Sequence, residues 1–501
     1  MSSENKKGDI PEIDLANYII DAEILNLVPA AIAEKYELIP LFKVGKSLTV
    51  AMADPNNIMA VDHIKVLTSL EIAVVKSEAK AIHDAISEYY GITGVVDEVL
   101  KAYRPQRLDK KVKAVGPKME EAPVIKLVNA IVAQAVKEAA SDIHIEPEAS
   151  DARVRYRVDG LLHEEFQMPP YMLAPVVSRI KVLSGMDIAE SRVPQDGRFE
   201  LKMEERHVDF RVSTFPSAYG EKVVLRILDK SKMSYKLPDI GFSESNLEKF
   251  RKVVKKPHGI ILVTGPTGSG KSTTLYGALA EVDCKELNVV TVEDPIEYEL
   301  PGITQSQINT KAGLTFATAL RALLRQDPDI ILVGEIRDME TAGIAVQAAL
   351  TGHLVFSTLH TNDAAGALTR LADMGIEPFL ISSTVEAVLA QRLVRKICPK
   401  CRQQIEVPAS LKKEIPDLTV LYKGKGCRSC KETGYKGRTG IFELLVTSDN
   451  IGKMIAEKKT AESIKEYAVQ HGMRTLYNDG LEKVKAGLTT IDEVLRVTEL
   501  E

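Results

Sequence analysis

The sequence predicts an α/β protein in which a parallel-sheet domain follows two smaller α+β regions. Three observations lead there. From about Pro238 onward apolar, strand-like runs alternate with helical stretches, the strands being 259–264, Asn288–Val292, Ile330–Val333 and Leu354–Ser357, and such alternation marks a parallel sheet. A glycine-rich stretch, Gly265–Ser272, lies directly after the first of these runs, at the carboxyl end of a strand where open α/β sheets bind ligands. Upstream, Arg153–Val158 and His207–Ser213 alternate polar and apolar residues, as half-buried strands do.

A length of 501 residues suits about three domains, each able to bury its own core. Residues from about 12 to 92 mix a short strand, Ser47–Met52, with amphipathic helical sequence such as Ala79–Tyr89. Lys101–Lys118 follows, with seven basic residues against one acidic and two prolines; it reads as a solvated linker, contact with anionic lipid or an acidic partner being the alternative. From Ala122 to about Tyr235 a helix, Val124–Ala140, precedes the β-rich sequence. The start of the chain is polar, without the apolar core of a signal peptide. No apolar run reaches the ~18–20 residues that a membrane span needs, so a cytosolic protein is expected, meeting a membrane through partners. A net charge of −5 and the absence of tryptophan argue against a strongly basic nucleic-acid binder.

The stretch Gly265-Pro266-Thr267-Gly268-Ser269-Gly270-Lys271-Ser272 completes the G-x-x-x-x-G-K-[ST] pattern, and Thr273 continues into a helix. Its glycines let backbone N–H groups turn inward around phosphate oxygens, and the helix aims its positive end at them. Lys271 can reach the β- and γ-phosphates and Ser272 can hold Mg²⁺, which implies an ATP or GTP site. Asp327–Glu335 supplies a buried strand ending in a carboxylate. Phosphate-loop enzymes usually deliver an aspartate to Mg²⁺ from this strand; Gly334 stands there and Glu335 follows. Glu335 is therefore expected to polarise the attacking water, with the metal relying more on Glu293, Asp294 and Glu297 at the end of a neighbouring strand. Three acids so close would repel one another unless Mg²⁺ or arginines compensate. His353 and His360 bracket another strand; they suit either sensing of the γ-phosphate or an ordinary structural role.

Four of the five cysteines form Cys398-Pro-Lys-Cys401 and Cys427-Arg-Ser-Cys430, separated by 25 residues. In a reducing compartment this spacing reads as tetrahedral zinc–thiolate coordination, closed to catalysis because all four positions are cysteine. Cys284 stands alone and reads as a small core residue.

Together these motifs resemble the hexameric ATPases that drive type II secretion and type IV pilus assembly. The resemblance runs from about residue 12 to 495. Besides the phosphate loop, the acidic box, the two histidines and the cysteines, it rests on Ser141–Pro147, Arg192–Arg198 and Gly334–Asp338. It implies a RecA-like P-loop ATPase core (236–501), including a tetracysteine zinc subdomain (395–440) and a helical C-terminal segment (446–501). A PAS-like α+β middle domain (122–235) and a small α+β N-terminal docking domain (12–95) would precede it, joined by a linker (96–121). It also implies ATP, Mg²⁺ and Zn²⁺ as ligands, Glu335 as the catalytic glutamate, and Arg211 and Arg226 as γ-phosphate contacts from the middle domain; read alone, those two arginines would sit on a solvated sheet face. A homo-hexamer at the cytoplasmic side of the bacterial inner membrane is implied, working on a membrane platform protein, with a cytosolic adaptor as a further partner of the N-terminal domain. Retraction motors share the core without the knuckle or the N-terminal domain, so assembly is the expected direction. Longer relatives open their N-terminal repeats with Arg-Leu-Gly and bind cyclic di-GMP; that tripeptide does not occur here, and the ligand is not expected. Two rivals stay open: a nucleic-acid-translocating or conjugation-type ATPase, and a nucleotide-gated scaffold that scarcely hydrolyses.

Overall fold

A computed structural model of the chain describes residues 10–90, 121–229 and 236–498, apart from 16, 17, 19, 26, 204, 205, 283, 416 and 417. The linker expected over 96–121, save its last residue, lies outside the described residues. The first two segments belong to one compact unit and the third to another.

In the N-terminal segment β1 (Leu38–Val44) and β2 (Ser47–Met52) form an antiparallel hairpin, and β3 (Glu71–Lys76) lies parallel to β2. The parallel pair requires a crossover, supplied by the helix Ile58–Thr68, whose first turn is capped by the Asn57 side chain accepting from the Ala60 amide. Leu38, Ile39, Leu48, Val50, Ile64 and Ile82 close the core.

The helix Glu121–Lys137 ends earlier than the expected Ala140, because Ala139 takes a left-handed φ of 57° and turns the chain out. Six antiparallel strands follow: β4 (Asp142–Pro147), β5 (Ala152–Val158), β6 (Leu161–Met168), β7 (Gln195–Met203), β8 (Arg206–Ser217) and β9 (Gly220–Asp229). They lie in the order β6-β5-β4-β9-β8-β7. Ile143, Ile145, Val154, Tyr156, Phe210 and Val212 point to one face, which buries them with residues of the helices Glu121–Lys137 and Pro170–Leu183. The alternate positions carry charge: Asp142, His144 and Glu146 on β4 stand opposite Arg157, Arg155 and Arg153 on β5. Period-two patterning accounts for both faces.

The other unit is built on a seven-stranded sheet in the order β12-β11-β13-β14-β10-β15-β18, where β10 is Gly259–Thr264, β11 Val289–Glu293, β12 Thr304–Gln307, β13 Ile330–Val333, β14 Leu354–Leu359, β15 Val385–Ile397 and β18 Tyr435–Val446. Neighbours from β12 to β15 are parallel, and β18 returns antiparallel to β15. The central strands are buried on both faces, so they read as unbroken apolar runs. The sequence analysis names neither β15 nor β18. Val385–Ile397 is rich in Ala, Leu, Glu, Gln and Arg, which favour helices, and no Gly or Pro separates it from the helix Pro378–Thr384; pairing with β10 and β18 overrides that preference. The cysteine segment, with its small hairpin β16 (Arg402–Ile405) and β17 (Leu421–Gly424), is thus an insertion between two long paired strands. Four helices from Asp449 to Val497 close the chain, each opened by a Ser or Thr cap: Ser448, Thr460, Thr475 and Thr490.

Candidate functional site

The glycine loop leaves β10 and enters the helix Lys271–Leu279. Gly265, Gly268 and Gly270 have φ of 146°, 79° and 89°, conformations that residues with a Cβ rarely adopt. At Gly265 a methyl would also lie 2.5 Å from the Gln391 carbonyl oxygen, and at Gly270 2.8 Å from Gln391 Nε2. Pro266, Thr267, Gly268 and Ser272 are exposed, Gly270 and Thr273 are half-buried, and Ser269 is buried. Lys271 folds back over the loop, Nζ donating to the carbonyls of Gly265 at 2.7 Å and Pro266 at 3.1 Å. Burial pushes its amine down to about 8, against a raising influence of Glu335 and with a further lowering by Arg392. Glu335 therefore lies within electrostatic reach of Lys271.

Beneath the loop, Thr274 Oγ1 donates to Gln391 Oε1 at 2.6 Å, and Arg392 donates to the Asn362 carbonyl at 2.8 Å. Both β15 residues are buried. Sequence reasoning missed them, although a Gln-Arg pair inside an apolar run is itself a signal that polar work is done there.

At the end of β13, Gly334 donates to the Val292 carbonyl at 2.8 Å and accepts from Thr358 Oγ1 at 2.8 Å. A methyl on Gly334 would sit 3.3 Å from both Glu293 Cα and the Val292 carbonyl oxygen. This close approach of backbones accounts for glycine where an aspartate is usual, and it hands the projecting carboxylate to Glu335. That carboxylate is ion-paired to Arg337 and lies 3.5 Å from His360 Nε2.

The three acids of the neighbouring turn separate. Glu293 is buried and accepts from Tyr276 OH, from Thr291 Oγ1 at 2.6 Å and from Gln305 Nε2 at 3.1 Å. Asp294 is exposed, in the field of Arg337, and Glu297 is half-buried. The anticipated repulsion is relieved by one acid turning into the core and by an arginine beside another. Ser272, Asp294 and Glu297 are the residues that could serve Mg²⁺.

The two histidines part company. Parallel register pairs Gly259 with Leu354 and Thr264 with Leu359, so His360, after Leu359, shares the edge of the phosphate loop. His353 precedes the strand, roughly 20 Å away at the opposite edge given a rise of about 3.3 Å per residue. There its Nδ1 meets the Ala348 carbonyl at 2.9 Å and Thr351 Oγ1 at 3.1 Å. Flanking one strand thus puts the two histidines at its two ends.

Arg211 and Arg226 face each other across β8 and β9, in the unit that does not carry the phosphate loop. Arg226 Nε donates at 3.1 Å to Asp142, whose carboxylate is buried. Cys284 is half-buried and packs against the core.

The four cysteines converge with Sγ–Sγ distances of 3.8 Å (398–427), 3.8 Å (401–430) and 3.7 Å (427–430). A disulfide requires about 2.05 Å. Four thiolates around one zinc at about 2.3 Å lie about 3.8 Å apart on a tetrahedron, so the group is compatible with Zn²⁺. The Cys427 and Gly434 amides donate to Cys430 Sγ at 3.2 and 3.3 Å, hydrogen bonds that orient a thiolate and stabilise its charge.

No helix among the described residues is long and apolar enough to cross a membrane. The family model for type II/IV secretion system protein matches residues 118–496, and that of the MshEN domain matches residues 8–95. The chain is 43% identical over 509 residues to the type IV pilus assembly ATPase PilB of Myxococcus xanthus, covering 98% of this chain and 89% of that one. It is 52% identical over 384 residues to the type II secretion system ATPase E of Vibrio cholerae, covering 76% of each. Among solved structures, the pilus retraction motor PilT with bound ADP aligns with a TM-score of 0.52 at 27% identity, over 74% of this chain and 96% of that one. The ATPase DotB of Legionella pneumophila, at 21% identity and a TM-score of 0.56 over 76% of this chain and 97% of that one, shares the fold. By its sequence, its parallel sheet and its phosphate loop, this chain belongs to the type II/IV secretion system protein family.

Proposed function

We propose that the protein is an ATP hydrolase whose turnover drives assembly of a type IV pilus or a type II secretion pseudopilus. The observation that carries this is the placement of Glu335 at the edge of the phosphate loop, oriented by Arg337 and His360 and within electrostatic reach of Lys271. ATP would take over the hydrogen bonds that Lys271 makes to Gly265 and Pro266, and the backbone N–H groups from Thr267 to Thr273 would cradle its phosphates. Ser272, with Asp294 and Glu297, would hold Mg²⁺, which would supply charge neutralisation to the phosphates. A water oxygen bonds to the γ-phosphorus as the bond to the bridging oxygen breaks; that electron pair leaves with ADP, and Glu335 accepts the water proton. Arg211 and Arg226 would contribute charge to the γ-phosphate. Glu293, engaged by three internal donors, acts by holding β11 in position.

The residue blocks 12–95, 122–235 and 236–501 form docking, middle and motor domains, the last including the 395–440 zinc subdomain. The protein works as a homo-hexamer at the cytoplasmic face of the inner membrane, on a membrane platform protein, with a cytosolic adaptor at the N-terminal domain. Relatives named for pilus assembly and for type II secretion match comparably, so the test belongs in the native host. Chromosomal Glu335→Gln, at unchanged protein level, is expected to abolish surface pili or secretion of folded exoproteins. Electron microscopy and culture-supernatant analysis tell the two apart, and retention of both would defeat the proposal.

A further inference from the structure

Beyond Glu335 lies a cavity of about 320 Å³ lined by Ile336, Arg337, Leu359, His360, Arg370 and Met374. Two of these side chains are permanently cationic, one is titratable, and none is acidic. Arg337 and His360 lead back to Glu335, which they contact, and Glu335 in turn acts on Lys271. The cavity is therefore joined to the phosphate loop through one carboxylate. Its volume far exceeds the ~10–15 Å³ that one water needs on this measure. Arg370, on the helix Ala364–Asp373, is exposed. Whereas Arg337 is neutralised by Glu335, no ion pair or side-chain hydrogen bond of Arg370 occurs among the described residues. A guanidinium fork left unpaired beside a cationic cavity suits small oxyanions, phosphate among them.

We propose that this cavity is an orthophosphate subsite, with Arg370 as its anion-contacting residue, receiving the γ-phosphate after hydrolysis. The inference rests on the ATPase reading above, and adds to it a product site separate from the nucleotide. Phosphate then leaves past Glu335 while ADP stays on the loop, so the two products depart independently.

The test is product inhibition of ATP turnover in the full-length, zinc-loaded protein, with inorganic phosphate and ADP titrated separately. Arg370→Ala is expected to raise the phosphate inhibition constant about tenfold, the loss of a charge-assisted contact, while the ADP constant stays within about twofold. Arg370→Lys should fall between. A phosphate constant unmoved by Arg370→Ala, or phosphate and ADP constants that rise together, would overturn the subsite. If the wild type hydrolyses no ATP, the ATPase reading fails by itself, and ³¹P line broadening of free phosphate still decides. Broadening that Arg370→Ala abolishes supports the subsite, and broadening absent from the wild type or equal in both proteins contradicts it.

Discussion

Lys271 illustrates how a binding residue is prepared before its ligand arrives. Burial lowers its amine to about 8, and two loop carbonyls hold it over the place a phosphate would take. A triphosphate would raise that pKa, so nucleotide binding takes up a proton wherever the free amine is partly neutral. The sign follows: below about 8 the amine is charged with or without ligand and contributes no pH dependence, whereas above it affinity falls as pH rises. We predict that ADP affinity, measured calorimetrically, drops by up to about tenfold per pH unit above pH 8 and that proton uptake is seen in buffers of different ionisation heat. Both signatures should vanish in Lys271→Arg, whose charge does not titrate in this range. This much of the site was legible in the sequence, because phosphate chemistry restricts which residue types can serve at each position. Gln391 and Arg392 were not, since their place under the loop depends on β15 lying beside β10, a tertiary pairing that local propensity opposes.

At the scale of elements, the insertion of the cysteine segment between β15 and β18 ties the four-cysteine group to the central sheet rather than to the helical tail. The other tie at that end is Glu493, in the helix Ile491–Val497. It accepts from the Arg395 amide at 2.9 Å and guanidinium at 2.7 Å, and from Arg496 at 2.7 and 3.0 Å. Burial alone would raise its carboxyl, but the two arginines hold it down at about 2. Because the folded pKa lies below the unfolded value, this stabilisation is fully present above about pH 4.5 and is lost as pH falls toward 2. Glu493→Gln should therefore cost on the order of 2–3 kcal/mol at pH 7. In chemical denaturation the difference from wild type should shrink as pH falls through that window; a difference independent of pH would show that packing, not charge, makes the contact. The parallel strands β10, β13 and β14 were legible as apolar runs because both their faces are buried. β18 was hidden by the cysteines, whose chemistry drew the reading of 395–440 toward a zinc subdomain rather than a returning strand.

At the scale of the whole molecule, one chain carries a sheet bearing the phosphate loop and a second unit whose charged sheet face holds Arg211 and Arg226. Family membership explains why both units occur in one chain, and the resemblance that named the family rested on short motifs spread over both. Asp142, from the Ser141–Pro147 motif, shows what such a motif does physically: buried at the centre of the charged face, it holds Arg226 in place. Hydrolysis through Glu335 is read from ATP turnover of the full-length, zinc-loaded protein beside Glu335→Gln, with ADP affinity measured on both. Turnover should fall about 10²-fold or more in the variant, with ADP affinity within about twofold. Turnover undiminished in Glu335→Gln, or a wild type that binds nucleotide without hydrolysing it, would contradict hydrolysis through Glu335.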